Sequence, residues 1–308
     1  MSVEISVIVP TFNNRLYVVK CLESLAKQDF PKDLYEVIVV DDGSFDGSIN
    51  SIYDVKNRYK DVSIRYNRQD NKGPSSARNT GLSFANGGII AFTDDDCIPN
   101  KDWLSQIKGA FKKNPEIAGV GGKTVTIPEN ITPLTHQVED DLDYSFPSCN
   151  VAYKKEALVK VGGFDENFPF PGHTVKFLPT NEDWDLTYKI QDIGKINYNS
   201  EMIVVHPPKP TTFLKEIYRM RLLESEFYLC SKHPEKYRDS VHKSPWRVIL
   251  YHQMVVQFCL KFFRFFTWMF EKPLTFMKFL ILLLFQRLFL LILIPGFFLK
   301  YGFKKKNR

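Results

Sequence analysis

Three consecutive carboxylates, Asp94, Asp95 and Asp96, follow the apolar run Gly88-Ile89-Ile90-Ala91-Phe92. At the carboxyl end of a buried strand such carboxylates spill into a cleft. There they suit the hard-oxygen coordination of Mg²⁺ or Mn²⁺, ions that commonly neutralise a bound diphosphate. A solvated acidic turn is the competing reading of a bare acidic triplet. The surrounding sequence bears on the choice.

Two more short, β-branched runs end in polar turns upstream: Ile5-Ser6-Val7-Ile8-Val9 before Pro10-Thr11-Phe12-Asn13-Asn14, and Val37-Ile38-Val39-Val40 before Asp41-Asp42-Gly43-Ser44. Short continuous apolar runs followed by helical patterns are expected of parallel strands covered on both faces. The first helical pattern predicts an inward face of Leu16, Val19, Leu22, Leu25 and Ala26. A second helix is expected to start near Pro74, whose fixed φ suits a first helical position, and to turn Ala77, Gly81 and Ala85 inward. Strand and helix alternate three times in the first hundred residues, which predicts an open α/β sheet. Ligands bind at the carboxyl ends of the strands in such sheets, so Thr11, Asp42 and Asp96 are expected along one crevice.

The segments ISVIVPTFNN (5–14), EVIVVDDGS (36–44), NKGPSSARNTGL (71–82), IAFTDDDCIP (90–99), GGFDE (162–166) and NEDWDL (181–186) stand in the order of the motifs of the family-two glycosyltransferases, which the chain resembles over about residues 3–207. The resemblance implies the GT-A fold, an open mixed sheet flanked by helices. It also implies an inverting transfer of a sugar from a nucleoside diphosphate, most readily a UDP-sugar, to an acceptor hydroxyl. On the donor side it places Pro10, Thr11, Phe12 and Asp42 at the nucleobase, with Arg78 and Asn79 on a helix beside the nucleotide. A carboxylate such as Asp42 can accept a hydrogen bond from a uracil-type ring N–H. Asp41 either contacts ligand or caps the following turn.

By the same resemblance Asp94 lies near the ribose and Asp96 on Mn²⁺ or Mg²⁺, whose Lewis acidity stabilises charge on the departing nucleoside diphosphate. Asp95, a donor-site candidate by position, is expected to turn toward the backbone or the acceptor side, because a third carboxylate would over-neutralise the ion. Asp183 is implied as the general base that takes the acceptor's proton, with Glu182 supporting it. Both also favour the positive end of a helix. His206, after Ile203-Val204-Val205, is a candidate metal or phosphate contact or a structural residue. Trp184, Phe168 and Phe170 either stack on sugar rings or anchor loops. The stretch 121–150 loses apolar periodicity and 168–180 carries Pro169, Pro171, Gly172 and Pro179; both are expected to overlie the donor site and to carry acceptor specificity.

The tail is different in kind. Residues 244–308 hold eleven Lys or Arg and one acid, a balance of +10 that leaves −4 for residues 1–243 of the total +6. Thirteen of the 26 Phe residues also lie there, which points to anionic lipid and away from nucleic acid, since no basic stripe accompanies the nucleotide motifs. Three parts are expected: a catalytic domain at 1–210, a helical connector at 211–245, and membrane-associating helices at 246–308. Within the last, Gln253, Gln257, Lys261 and Arg264 mark one polar stripe of an interfacial helix, and 279–299 is long enough to cross a bilayer. A single crossing would export Lys304-Lys305-Lys306-Asn307-Arg308 against the positive-inside tendency, whereas an in-plane or re-entrant arrangement at the cytoplasmic face, or a hairpin with the preceding helix, would not. A hydrophobic tail beside the catalytic domain suits a lipid-linked or polysaccharide acceptor.

Five scattered cysteines without C-x-x-C spacing suggest reduced thiols, and no Walker loop or nucleophile elbow is present. A nucleotidyltransferase would need a basic, glycine-rich triphosphate loop where Pro10-Thr11-Phe12-Asn13-Asn14 stands. A non-catalytic nucleotide-binding scaffold is the other class, and the presence of both Asp96 and Asp183 weighs against it.

Overall fold

The structure is a computed structural model that describes residues 2–127, 135–136, 146–168, 181–210, 212–218, 223–240, 259, 262–263, 266 and 268–301. The chain forms two compact units. One comprises Met1–Asn130, Gln137–Asn167 and Glu182–Pro208; the other comprises Ile131–His136, Phe168–Asn181 and Lys209–Arg308.

The first unit is built on an eight-stranded sheet. Its strands are β1 (Ile5–Thr11), β2 (Tyr35–Asp41), β3 (Ser63–Arg68), β4 (Ile89–Phe92), β5 (Ile98–Pro99), β6 (Gly119–Val125), β8 (Val151–Lys154) and β9 (Ile196–Val205), in the order β3-β2-β1-β4-β8-β6-β9-β5. The first four are mutually parallel, β8 runs antiparallel to both β4 and β6, and β5 runs antiparallel to β9, so the sheet is mixed. Both β1 and β2 are buried along their whole length. Burial on two faces is why they appear in sequence as unbroken apolar runs.

Alternate strand residues feed two cores. Val7, Val9, Val37 and Val39 pack with helix α1 (Arg15–Ala26), while Ile8, Ile38, Val40, Ile90 and Phe92 pack with helix α3 (Pro74–Phe84). The inward face of α1 is Val18, Cys21, Leu22, Leu25 and Ala26. Leu16 is 77% exposed, a correction to the predicted face, whose true centre sits nearer Val18 and Cys21. Pro74 opens α3 as expected, and Gly81 lets the helix lie against Ile8, whose Cγ2 would sit 2.5 Å from an added Cβ. Helix α2 (Ser48–Arg58) and edge strand β3 form a part of the sheet that the apolar runs did not announce. Helices α4 (Trp103–Lys113) and α5 (Lys155–Val161) add Trp103, Leu104 and Ile107 to the first core and Ala157 and Leu158 to the second.

Two local devices deliver site residues. With β2 on one side of β1 and β4 on the other, the connections diverge and leave a crevice at the strand ends. Across it, Thr11 Oγ1 donates to Asp95 Oδ2 at 2.6 Å. Further along, β6 pairs with β9 through a bulge at Gly122/Lys123. Asn150 staples this bulge: its Nδ2 donates to Lys123 O and Met202 O, and its Oδ1 accepts from Trp103 Nε1. Beyond the bulge, Ile98 of β5 pairs with Val205 at the end of β9.

The second unit contains a two-stranded ribbon, β7 (Thr135–His136) with β10 (Lys209–Pro210), and helices α7 (Phe213–Tyr218), α8 (Leu223–Lys232), α9 (Pro234–Ser240), α10 (Trp268–Glu271) and α11 (Pro273–Tyr301). Long helix α11 buries Phe276, Phe279, Leu283, Gln286, Leu290, Ile294 and Phe297, a stripe at helical spacing. Its other face exposes Leu284, Phe285, Leu288, Leu291 and Ile292. By length and composition it could cross a membrane. The expected polar stripe Gln253, Gln257, Lys261 and Arg264, the cluster 304–308, Phe170 and most of both expected specificity stretches lie outside the described residues.

Candidate active site

The acidic triplet points its three carboxylates in three directions. Asp95 is buried and turns to the loop after β1, accepting from Thr11 Oγ1 and from Asn14 Nδ2, each at 2.6 Å. These two contacts are to side chains at the end of β1 and in the loop after it, beside the backbone or acceptor-side orientation that the sequence suggested. The physical reason is that β1 and β4 are neighbours, so the nearest donors are those at the end of β1.

Asp94 faces Arg78. The guanidinium of Arg78 donates to Asp94 Oδ1 through Nη2 and to Glu182 Oε1 through Nη1, both at 2.8 Å. The Arg78 and Glu182 side chains are 5% and 4% exposed. Burial alone would weaken the guanidinium's hold on its proton, but the carboxylates of Asp94, Glu182 and Asp183 outweigh it and keep the charge in place. The ring of Phe164 lies under the guanidinium, 5.4 Å from its centre. One buried cation therefore joins the triplet to an acidic pair far along the chain. That pair opens α6 (Glu182–Gln191), whose first turn favours negative charge.

Asp183 is next to this bridge. Its Oδ1 accepts from the backbone N–H of Trp184 at 2.8 Å. Burial pushes its carboxyl up to about 8, and neighbouring Glu182 adds to the rise, against the opposing pull of the Trp184 N–H, Arg78 and the Ser148 N–H. A carboxylate raised this far is a much better base than an ordinary aspartate and is poised near neutral pH. Trp184 packs beside Tyr188, with ring centres 5.7 Å apart.

Asp96 faces His206. Asp96 Oδ1 lies 3.4 Å from His206 Nε2, and the Cys97 thiol lies 3.7 Å from the same oxygen. The β5–β9 pairing brings these residues together, and the His206 N–H anchors on Val125 O at 2.8 Å. A carboxylate and an imidazole side by side suit a divalent ion, and the nitrogen donor fits Mn²⁺ better than Mg²⁺.

The loops after β1 and β2 are tied together. Asn13, at a φ of +48°, accepts from the Phe45 N–H through Oδ1, and its own N–H donates to Ser44 Oγ. Phe12 meets Phe45 edge-on at 6.3 Å, and Phe45 is 84% exposed. Asp41 caps its turn by accepting from the Ser44 N–H, and it also accepts from Tyr66 Oη, so its two oxygens serve the fold. Asp42 accepts from the N–H groups of Lys72 and Gly73 and from Gln69 Nε2, at 2.8–2.9 Å. It holds the loop that leads into α3. Asn79 acts in the same way on the turn 162–166, because its amide donates to Phe164 O and Glu166 Oε1 and accepts from the Phe164 N–H. Phe168, in the second unit, is buried against Tyr228 at 4.8 Å and anchors its loop.

The sequence reading missed Asn14, Phe45 and Cys97. Asn14 and Cys97 sit inside quoted motifs and adjoin singled-out residues. Phe45 follows DDGS directly, and an aromatic beside a nucleobase motif was the available signal.

The fold agrees with that of related proteins. The 30% identical Glycosyltransferase AglE of Haloferax volcanii aligns over 226 residues, 70% of this chain and 71% of that protein. A dolichyl N-acetyl-alpha-D-glucosaminyl phosphate 3-beta-D-2,3-diacetamido-2,3-dideoxy-beta-D-glucuronosyltransferase of Methanococcus voltae is 32% identical over 132 residues, covering 42% of this chain and 41% of its own. Among solved structures, the mannosyltransferase PcManGT of Pyrobaculum calidifontis, in complex with GDP-Man and Mn²⁺, superposes with a TM-score of 0.60 at 21% identity, over 94% of this chain and 88% of that one. This last likeness shows the GT-A fold. Residues 6–164 match the profile described as Glycosyl transferase family 2, and the chain belongs to that family.

Proposed function

We propose that this glycosyltransferase moves a sugar from a nucleoside diphosphate, a UDP-sugar foremost, to a hydroxyl of a lipid-linked or glycan acceptor, by direct displacement with inversion at the anomeric carbon. The observation that carries the reading is the buried bridge from Asp94 through Arg78 to Glu182, which sets the donor-side carboxylates beside the raised carboxyl of Asp183. Asp183 accepts the proton of the attacking hydroxyl, and the Trp184 N–H orients its carboxylate through Oδ1. Arg78 keeps Asp94 and Glu182 oriented, and Asp95 keeps the β1 loop in place under the donor. Asp96 and His206 would hold a divalent ion, which when bound supplies Lewis-acid stabilisation of the leaving diphosphate. The Mn²⁺ in the PcManGT complex supports this choice. Phe12 and Phe45 offer an aromatic edge to the base.

The apolar outer face of α11 supports a seat on the cytoplasmic face of the membrane, where anionic lipid meets the basic tail. Along its length α11 packs on polar partners: Gln286 donates to Glu216 O, and Lys300 and Tyr301 both contact Glu224. A helix crossing the bilayer would carry Glu216, which packs at mid-helix Gln286, toward hydrocarbon, at several kcal/mol in insertion terms, so the in-plane arrangement is preferred. The dolichyl phosphate in the name of the Methanococcus relative supports a lipid-linked acceptor.

Calorimetric titration with UDP-, GDP- and dTDP-sugars, with and without Mn²⁺, tests the donor half. Metal-dependent binding of one donor, weakened by Asp96→Asn, is expected. A folded protein that binds none of them would overturn the reading in favour of a scaffold or a lipid-phosphate sugar donor.

A further inference from the structure

Next to Asp96 and His206 the chain carries a soft donor that hard-ion chemistry does not require. The thiol of Cys97 is fully buried and lies 3.7 Å from Asp96 Oδ1. One donor atom from each of Asp96, Cys97 and His206 lies within 4.8 Å of the others. Cys97 directly precedes β5 and His206 directly follows β9, and these two strands pair, so the arrangement is fixed by the sheet and not by a surface loop.

The separations can be compared with those a tetrahedral ion imposes. With metal–ligand distances of about 2.1 Å to oxygen and nitrogen and 2.3 Å to sulfur, tetrahedral edges are about 3.4 Å for O···N and about 3.6 Å for S···O. The corresponding separations here are 3.4 Å and 3.7 Å. The third separation, from the Cys97 sulfur to the His206 ring nitrogen, lies within 4.8 Å, so the three donors need only a small shift to close on one ion.

We propose that Cys97 is a third ligand of this site and that Asp96, Cys97 and His206 form a tetrahedral site for a soft or borderline divalent ion of the Zn²⁺ class, competing with Mn²⁺. The inference deepens the metal reading of the same site and rests on it. On binding, the Cys97 S–H bond breaks, its proton passes to buffer, and the sulfur lone pair forms the metal–sulfur bond, with no change in oxidation state. A thiolate raises affinity for Zn²⁺ far more than for Mn²⁺, because softness and position in the stability series both favour it. A Zn²⁺ ion held this way takes tetrahedral geometry, whereas diphosphate-bridging ions keep several oxygen ligands, so occupancy by Zn²⁺ is expected to suppress transfer.

Co²⁺ reports the coordination directly, because a thiolate on Co²⁺ gives an intense near-ultraviolet charge-transfer band that oxygen and nitrogen donors do not. Titration of the full-length protein with CoCl₂ is expected to produce that band, with release of one proton per ion and displacement by ZnCl₂. Cys97→Ser is expected to abolish the band and to lower the Zn²⁺:Mn²⁺ affinity ratio by at least about tenfold, the scale seen even for outer partners of metal ligands. Circular dichroism of the variant checks its fold, and Cys259→Ser, which replaces an exposed thiol, is expected to keep the band. Co²⁺ binding without the band would overturn the role of Cys97 while leaving the Asp96–His206 reading intact. Failure to bind Co²⁺, Zn²⁺ and Mn²⁺ alike, in the presence of nucleoside diphosphate, would overturn both.

Discussion

Replacing Arg78 with Met removes the cation between Asp94 and Glu182 while retaining most of the side chain's volume. The consequence differs for the two partners. Glu182 is 4% exposed and would be left with an uncompensated buried charge, whereas Asp94, at 31%, can turn to water. Breaking a buried pair from one side costs about 3–5 kcal/mol; the Asp94 half adds little after solvent screening. Urea denaturation followed by tryptophan fluorescence and circular dichroism is expected to show that loss, with Tm lower by roughly 10 °C. Glu182→Gln in the Arg78→Met background removes the stranded charge, so the double variant should be about 1–3 kcal/mol more stable than the sum of the single effects implies. A loss below about 1 kcal/mol for Arg78→Met, with an additive double variant, would refute the reasoning. The cation would then be a surface contact and not the tie between the two halves of the site.

The raised carboxyl of Asp183 has consequences for both rate and stability. Transfer by the intact protein is expected to climb with pH through about 8, as the base ionises, and Asp183→Asn should lose about 10²–10⁴-fold in rate while still binding donor. Because the folded pKa lies above the unfolded value, Asp183 lowers stability progressively as pH rises from about 4 to about 8; thermal melts across that range should therefore show Asp183→Asn gaining on the native protein toward alkaline pH. A constant difference would remove the linkage. Gly163→Ala places a Cβ 2.6 Å from Asn79 Oδ1 at a φ of +68°, so about 1–3 kcal/mol should be lost by denaturant titration; a neutral result would mean that the turn 162–166 is not fixed by Asn79. Leu288→Glu with Leu291→Glu alters the exposed face of α11 and should abolish sedimentation with anionic phospholipid vesicles without lowering Tm, whereas unchanged vesicle binding would place the membrane contact elsewhere.

Much of the fold was legible because the physics that buries β1, β2 and β4 on both faces also writes them as unbroken apolar runs. Pro74 marked α3 for an equally local reason. The illegible parts are those whose cause is distant. Edge strand β3 carries Arg65, Asn67 and Arg68 and so lacks the apolar signature. Strand β5 is two residues long, too short to register in any pattern, yet its pairing with β9 brings Asp96 and Cys97 to His206. The motifs named Arg78, Glu182 and Asp94 separately, but nothing local says that the Arg78 guanidinium reaches a carboxylate 104 positions away. Asp42 and Asn79 were expected at the donor, and in the folded chain their hydrogen bonds hold the loop before α3 and the turn 162–166. For Leu16 the helical period was right and its phase was off, since Val18 and Cys21 carry the buried face.

The most direct measurement is transfer itself: a radiolabelled sugar nucleotide, Mn²⁺ and a membrane lipid extract from the organism that makes the protein, followed by extraction of labelled lipid and analysis of the released nucleotide. Labelled product together with nucleoside diphosphate from the native protein, and neither from a folded Asp183→Asn variant that still binds donor, is the expected result. Equal labelling by the variant, or release of pyrophosphate in place of nucleoside diphosphate, would contradict an inverting transfer with Asp183 as its base.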